Sequence, residues 1–119
     1  MTREEKRRSE RVIPFLSDEE VVLVHSGGRE PLLAKMLDLS DVGTLVYMLT
    51  DDELPALGST CPLSLYHEGK VFQVPAQIVR KSGRLAGFEF GSVSSEVMQH
   101  VQAKLIQMEV EWIRLSRRG

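Results

Sequence analysis

A chain of 119 residues with 42% apolar and 27% charged side chains has the make-up of one soluble globular domain, too short for two cores. Its net charge of −2 excludes a protein that grips a long polyanion by overall charge. A single cysteine, Cys61, excludes an intrachain disulfide.

Residues 1–10 are polar and without apolar periodicity, and read as a mobile arm. The arm region is locally basic. Arg3, Lys6, Arg7, Arg8 and Arg11 outnumber Glu4, Glu5 and Glu10, and four of those cations crowd into residues 6–11. Such a cluster suits a compact anionic ligand. No apolar stretch nears the ~18 residues of a membrane span, and the charged start has no apolar core of a secretory signal. The expectation is a cytoplasmic protein.

Residues 11–16 read as a first short strand, which Pro14 confines to an edge or a bulge. Residues 17–20 read as a turn. Residues 21–26 are rich in β-branched side chains and predict a second strand, with Gly27-Gly28 as a hairpin signal. Residues 31–38 return as a third strand and residues 43–49 form a fourth.

Between those two lies Asp38-Leu39-Ser40-Asp41-Val42-Gly43. Asp and Ser side chains bond nearby backbone and hold tight turns, and Gly permits positive φ or a close backbone approach. The turn therefore presents a carboxylate and a hydroxyl at a sheet end. A polar connection over residues 51–59 follows. Residues 61–67 predict a fifth strand, residues 67–70 a hairpin turn, and residues 71–80 a long sixth strand made irregular by Pro75. Lys81-Ser82-Gly83 turns the chain into a last strand at 84–90. Short strands joined by tight turns argue for an antiparallel barrel or sandwich.

From Ser92 the period changes. Val97, Val101, Leu105, Met108, Trp112 and Leu115 recur at helical steps, predicting a helix over residues 92–116 that docks on the strands. Ser92 or Ser94 can cap its start, and Arg114, Arg117 and Arg118 suit its C-terminal dipole. Trp112 is read as core. Ile106, Val110 and Ile113 fall on roughly the opposite face. Two readings stay open: a broad buried surface with scattered exposed apolar residues, or a second contact face, such as a homo-oligomer through the helix.

The chemistry gathers at the arm and the Asp-Ser turn. A guanine nucleotide needs cations for phosphate, forked donors for guanine O6 and N7, and an acceptor for the N1–H and N2–H₂ edge. Arg7, Arg8 and Arg11 opposite Asp38 and Ser40 supply all of these.

Arg7-x-x-x-Arg11, followed after a strand and a hairpin by Asp38-x-Ser40-x-x-Gly43, resembles the PilZ domain, a family of small receptors for the bacterial messenger cyclic di-GMP. Both parts of its signature, RxxxR and D/NxSxxG, are complete. Gly87-Phe88-Glu89-Phe90 resembles the family's last barrel strand, and the resemblance runs over residues 6 to 115. It implies a mainly β fold: a six- or seven-stranded antiparallel barrel at residues 11–91, preceded by the arm and followed by the long C-terminal helix. It also implies that Arg7 and Arg11 bind phosphate and a guanine edge, while Asp38, Ser40 and Gly43 shape a base pocket. Lys6, just before the first motif arginine, favours a stacked pair of ligands. Arg80 resembles a frequent phosphate-contacting position.

The function implied is non-enzymatic: ligand binding changes the arm, and the change is passed to a protein partner. The alternatives are a nucleotide-free adaptor of the same fold, or a small barrel binding single-stranded nucleic acid. An enzyme is the weakest reading, because no nucleophile or acid–base set is present. Cys61 before Pro62 reads as a small buried apolar residue. His25, His67 and His100 lack metal-ligand spacing, so no cofactor or metal is expected. Asp51-Asp52-Glu53 reads as a solvated loop.

Overall fold

A computed structural model describes residues 20–118, with side chains as far as residue 114. The arm, the strand expected at 11–16 and the turn residues 17–19 lie outside the described residues.

Among the described residues seven strands and one helix follow in order: β1 (Val21–Val24), β2 (Leu32–Leu39), β3 (Gly43–Met48), β4 (Leu63–His67), β5 (Lys70–Val74), β6 (Ala76–Ser82), β7 (Leu85–Phe90) and α1 (Ser95–Arg118). Every pairing is antiparallel. Period-two alternation sets the strand faces: in β2, Leu32, Ala34 and Met36 are buried while Leu33 and Lys35 are exposed. Two hairpins use the turn chemistry their sequences predict. Gly28 has φ +74° at the β1–β2 turn, and Glu68 and Gly69 both have positive φ between β4 and β5.

The sheet order is β5-β4-β1-β2-β3-β7-β6. The two edge strands are thus consecutive in the chain, with Pro75 alone between them. A flat sheet cannot satisfy that connection. The sheet therefore curls until its edges meet, giving a half-barrel. The single strand expected over residues 71–80 is really these two strands. Pro75 lacks the N–H a continuous ladder needs, and its two sides pair with different partners, β4 and β7. The turn expected at Lys81-Ser82-Gly83 is also shifted. Ser82 still pairs with Leu85, so the loop is Gly83-Arg84.

The far edge of β6 is not bare. Thr60 bridges Gln77, and the Cys61 N–H donates to the Ala76 carbonyl at 2.8 Å. A covered edge cannot pair with another chain. This connection is also stapled by cations. Lys81 Nζ donates to the Pro55 carbonyl at 3.2 Å, and Arg84 Nη1 to that of Met48 at 3.0 Å while it ion-pairs with Asp51. The acidic run 51–53 is exposed, as expected, and Asp51 stays 89% exposed even while it pairs with Arg84.

One continuous core fills the half-barrel and reaches Val101 and Met108 of α1. The helix packs chiefly on β5, where His100 stacks on Phe72 with ring centroids 5.2 Å apart. Lys104 is buried, its Nζ donating to the Tyr66 carbonyl. The stripe expected to dock does so at Val97, Val101, Leu105 and Met108. Trp112 does not: it is 51% exposed, because the helix has by then passed the half-barrel. The side chain of Leu115 lies outside the described residues. Among the described residues no helix is long and apolar enough to cross a membrane.

Of the two caps expected, Ser94 is the one used: its Oγ accepts from the Val97 N–H at 3.2 Å. Ser94→Ala should lower stability by about 1 kcal/mol in urea unfolding. Ser92→Ala, at an exposed position one turn position too early, should change it by less than about 0.5 kcal/mol.

Candidate functional site

Two β-bulges determine the site. In the β2–β3 ladder Met36 pairs with Val46, but Asp38 pairs with Leu45, so Leu37 is an extra residue. In the β6–β7 ladder Ile78 pairs with Phe88 and Arg80 with Gly87, so Val79 is extra. Leu45 and Gly87 pair with each other across β3 and β7. Both bulges therefore interrupt the same rung, which reads Asp38, Leu45, Gly87, Arg80 across four strands. Directly paired residues share a face, and here it is the outer face, since neighbours Met36, Val46, Ala86 and Ile78 all point into the core. At about 4.8 Å per strand the rung spans roughly 14 Å along the sheet.

Each member of the rung is held by a specific contact. Asp38 is half-buried, and its Oδ1 accepts the Leu45 N–H at 3.1 Å. The Thr44 hydroxyl, itself buried, donates to the Asp38 carbonyl at 2.6 Å. These bonds take up backbone groups that the bulge leaves off the ladder. Gly87 leaves a gap in the rung that Arg80 fills. A Cβ built on Gly87 would lie 3.3 Å from Arg80 Cβ and 3.8 Å from its Nε. The guanidinium arm thus lies over bare backbone on an exposed residue.

Ser40 is engaged within the turn itself. It is fully buried, and its Oγ accepts the N–H groups of Val42 and Gly43, both at 3.2 Å, while donating to the Gly43 carbonyl at 3.3 Å. Those bonds build the turn and present no hydroxyl to solvent. Gly43 is required by packing, not by positive φ. A Cβ there would sit 2.2 Å from the Phe88 carbonyl oxygen, which is backbone and cannot move aside. The close approach also lets the Phe90 N–H reach the Val42 carbonyl at 2.8 Å. So Asp38, Ser40 and Gly43 lie together at one turn and fix where β7 crosses β3.

Of the other predicted ligand residues, Arg80 joins Asp38 on the rung. Lys6, Arg7, Arg8 and Arg11 lie outside the described residues. Two further residues of the rung were given no site role by the sequence reading: Leu45, the apolar residue beside Asp38, and Gly87, whose signal was a glycine inside a strand. Two clefts of about 300 Å³ occur elsewhere. One, lined by residues such as Asp51, Lys81 and Arg84, belongs to the stapled connection. The other, beside the turn, is lined by Asp41, Glu89, Phe90 and Met98, and its two carboxylates would repel a phosphate. Among the described residues no group of three or more His, Cys, Asp or Glu side chains converges as metal ligands. Cys61 is buried as expected, and burial pushes its thiol pKa up, away from the reactive thiolate.

The PilZ domain family model matches residues 5–107. No curated protein matches the chain. Among solved structures, the chain is similar to the PilZ domain with c-di-GMP of YcgR from Escherichia coli, at 19% identity and a TM-score of 0.80, over 96% of this chain and 99% of that one. It is similar to YcgR in complex with c-di-GMP from the same organism at 20% identity and a TM-score of 0.69, over 95% of this chain and 50% of that one. A third similarity is to the PilZ domain of CeSA from a cellulose-synthesizing bacterium, at 21% identity and a TM-score of 0.66, over 83% and 97% of the two chains.

Two measurements check the roles of the turn. Gly43→Ala should cost about 2 kcal/mol or more in urea unfolding, by forcing β7 off β3. Ser40→Ala should cost about 1–3 kcal/mol, because it strands the buried Gly43 N–H and the partly buried Val42 N–H. Iodoacetamide should label Cys61 only as the protein unfolds; rapid labelling of the folded chain would contradict its burial.

Proposed function

Since the chain belongs to the PilZ domain family, we propose that it is a non-enzymatic cytoplasmic receptor for cyclic di-GMP that binds its ligand on the Asp38–Arg80 rung and closes its N-terminal arm over it. The observation that carries this reading is the alignment of the two bulges. It places a carboxylate and a guanidinium at opposite ends of one outer-face row, with only Leu45 and bare Gly87 between them. A carboxylate accepts from the guanine N1–H and N2–H₂ edge. A guanidinium donates to phosphate. The smooth floor between lets a planar base lie against the sheet.

The rung supplies one cation for a ligand with two phosphates. The remaining charge has to come from the arm, where Lys6, Arg7, Arg8 and Arg11 are concentrated. Ordering six arm residues costs on the order of 6–12 kcal/mol at about 1–2 kcal/mol each. Charged hydrogen bonds return about 1.5–3 kcal/mol each. Several must form together, so closure is all-or-none and depends on ligand. An arm that changes place with ligand offers a protein partner two distinguishable surfaces, which is how the signal leaves this domain. Lys6 gives the arm the charge to hold a stacked pair of ligands, with four phosphates. The relatives described as complexes hold c-di-GMP, which supports the same ligand here.

Calorimetric titration of the full chain with cyclic di-GMP should show saturable binding, with two ligands per chain. Arg7→Ala or Arg11→Ala should weaken it at least about tenfold, and rising salt should weaken it further. Arg80→Ala should have a smaller effect, about threefold to tenfold. Unchanged affinity in folded Arg7 and Arg11 variants would reject the assignment.

A further inference from the structure

α1 has two apolar faces, and the half-barrel uses one. Val97, Val101, Leu105 and Met108 meet the core, and Met108 is the last buried residue of the helix among those described. Ala103, Ile106, Val110 and Ile113 are all exposed, Ile106 at 61%. At about 100° per residue the second set lies roughly 160° from the first, directly away from the strands. α1 has 24 residues, so its last ten extend about 15 Å beyond Met108.

The exposed set recurs at steps of three, four and three, the spacing of a coiled-coil seam. Ala103 and Val110 take the a positions, and Ile106 and Ile113 the d positions. The flanks then carry charges of opposite sign: Glu109 at g and Arg114 at e. Both are exposed, and neither is ion-paired among the described residues.

We propose that a second copy of this chain covers this face as a parallel helix pair, with Glu109 of each copy against Arg114 of the other. In a parallel pair a g residue faces the e residue five positions on in its partner, which is the separation of Glu109 and Arg114. An antiparallel pair would set g against g and bring like charges together. The helix is thus complementary to itself in one orientation, as an isologous contact requires. The half-barrels, attached to the opposite face, stand on the two outer sides of the pair and do not collide. The seam is about three turns long, so the dimer is weak and depends on concentration. The rung on the sheet takes no part, so this pairing stands apart from nucleotide binding.

Sedimentation of the full chain over a range of concentrations tests this. The expected result is a reversible equilibrium between one and two chains of 13.4 kDa. Ile106→Glu should abolish the dimer while leaving the urea midpoint unchanged, since the residue touches no core. Glu109→Arg or Arg114→Glu alone should raise the dissociation constant about tenfold, and the double reversal should restore it. A monomer at every concentration to about 1 mM, a dimer indifferent to Ile106→Glu, a larger assembly, or no rescue by the double reversal would each overturn it.

Discussion

The rest of the structure depends on one backbone constraint, the contact between β3 and β7 at Gly43 and Phe88. Side-chain volume at residue 43 would push the strands apart, so a glycine there is what lets Leu45 and Gly87 pair in register. Once they do, the bulges on β2 and β6 fall on the same rung. A bulge turns a side chain out of the regular pleat, and two of them at one level put Asp38 and Arg80 in line. Ser40 belongs to this constraint as well. Its buried hydroxyl holds the turn that delivers Gly43, so its influence on a ligand would be exerted through the backbone.

The placement of charge follows from the same geometry. Lys81 and Arg84 are engaged with loop carbonyls and with Asp51. Lys35 holds buried Glu20 at 3.3 Å. Lys104 of α1 is buried, its Nζ donating to the Tyr66 carbonyl. Arg80 is the cation that the rung presents to solvent, beside a turn whose other flank, at Asp41 and Glu89, is acidic. The outer face is therefore cationic at the Arg80 end of the rung and acidic at Asp41 and Glu89.

Much of this was legible in the sequence because it is local. Valine-rich β-propensity marked β1, an apolar run between turn residues marked β2, Gly27-Gly28 and Glu68-Gly69 marked the turns, and Ser94 marked the start of α1. The motif Asp38-x-Ser40-x-x-Gly43 was visible, but the division of labour inside it was not, since burial of Ser40 and the lack of room for a Cβ at Gly43 need the opposite strand. The split at Pro75 was hidden because β-propensity continues on both sides of it. Only the sheet order shows that the two halves are opposite edges. The burial of Lys104 could not be read from the sequence, because its long stem permits either fate. Trp112 continued the helical stripe, yet periodicity carries no knowledge of where the half-barrel ends.

Amide chemical-shift mapping of the full chain during titration with cyclic di-GMP tests the central claim most directly. The account predicts saturable shifts concentrated at Asp38, Leu45, Gly87 and Arg80 and in residues 6–11, with α1 unaffected. A folded protein whose rung amides stay fixed at high micromolar ligand, or whose shifts gather at the acidic cleft instead, would contradict it.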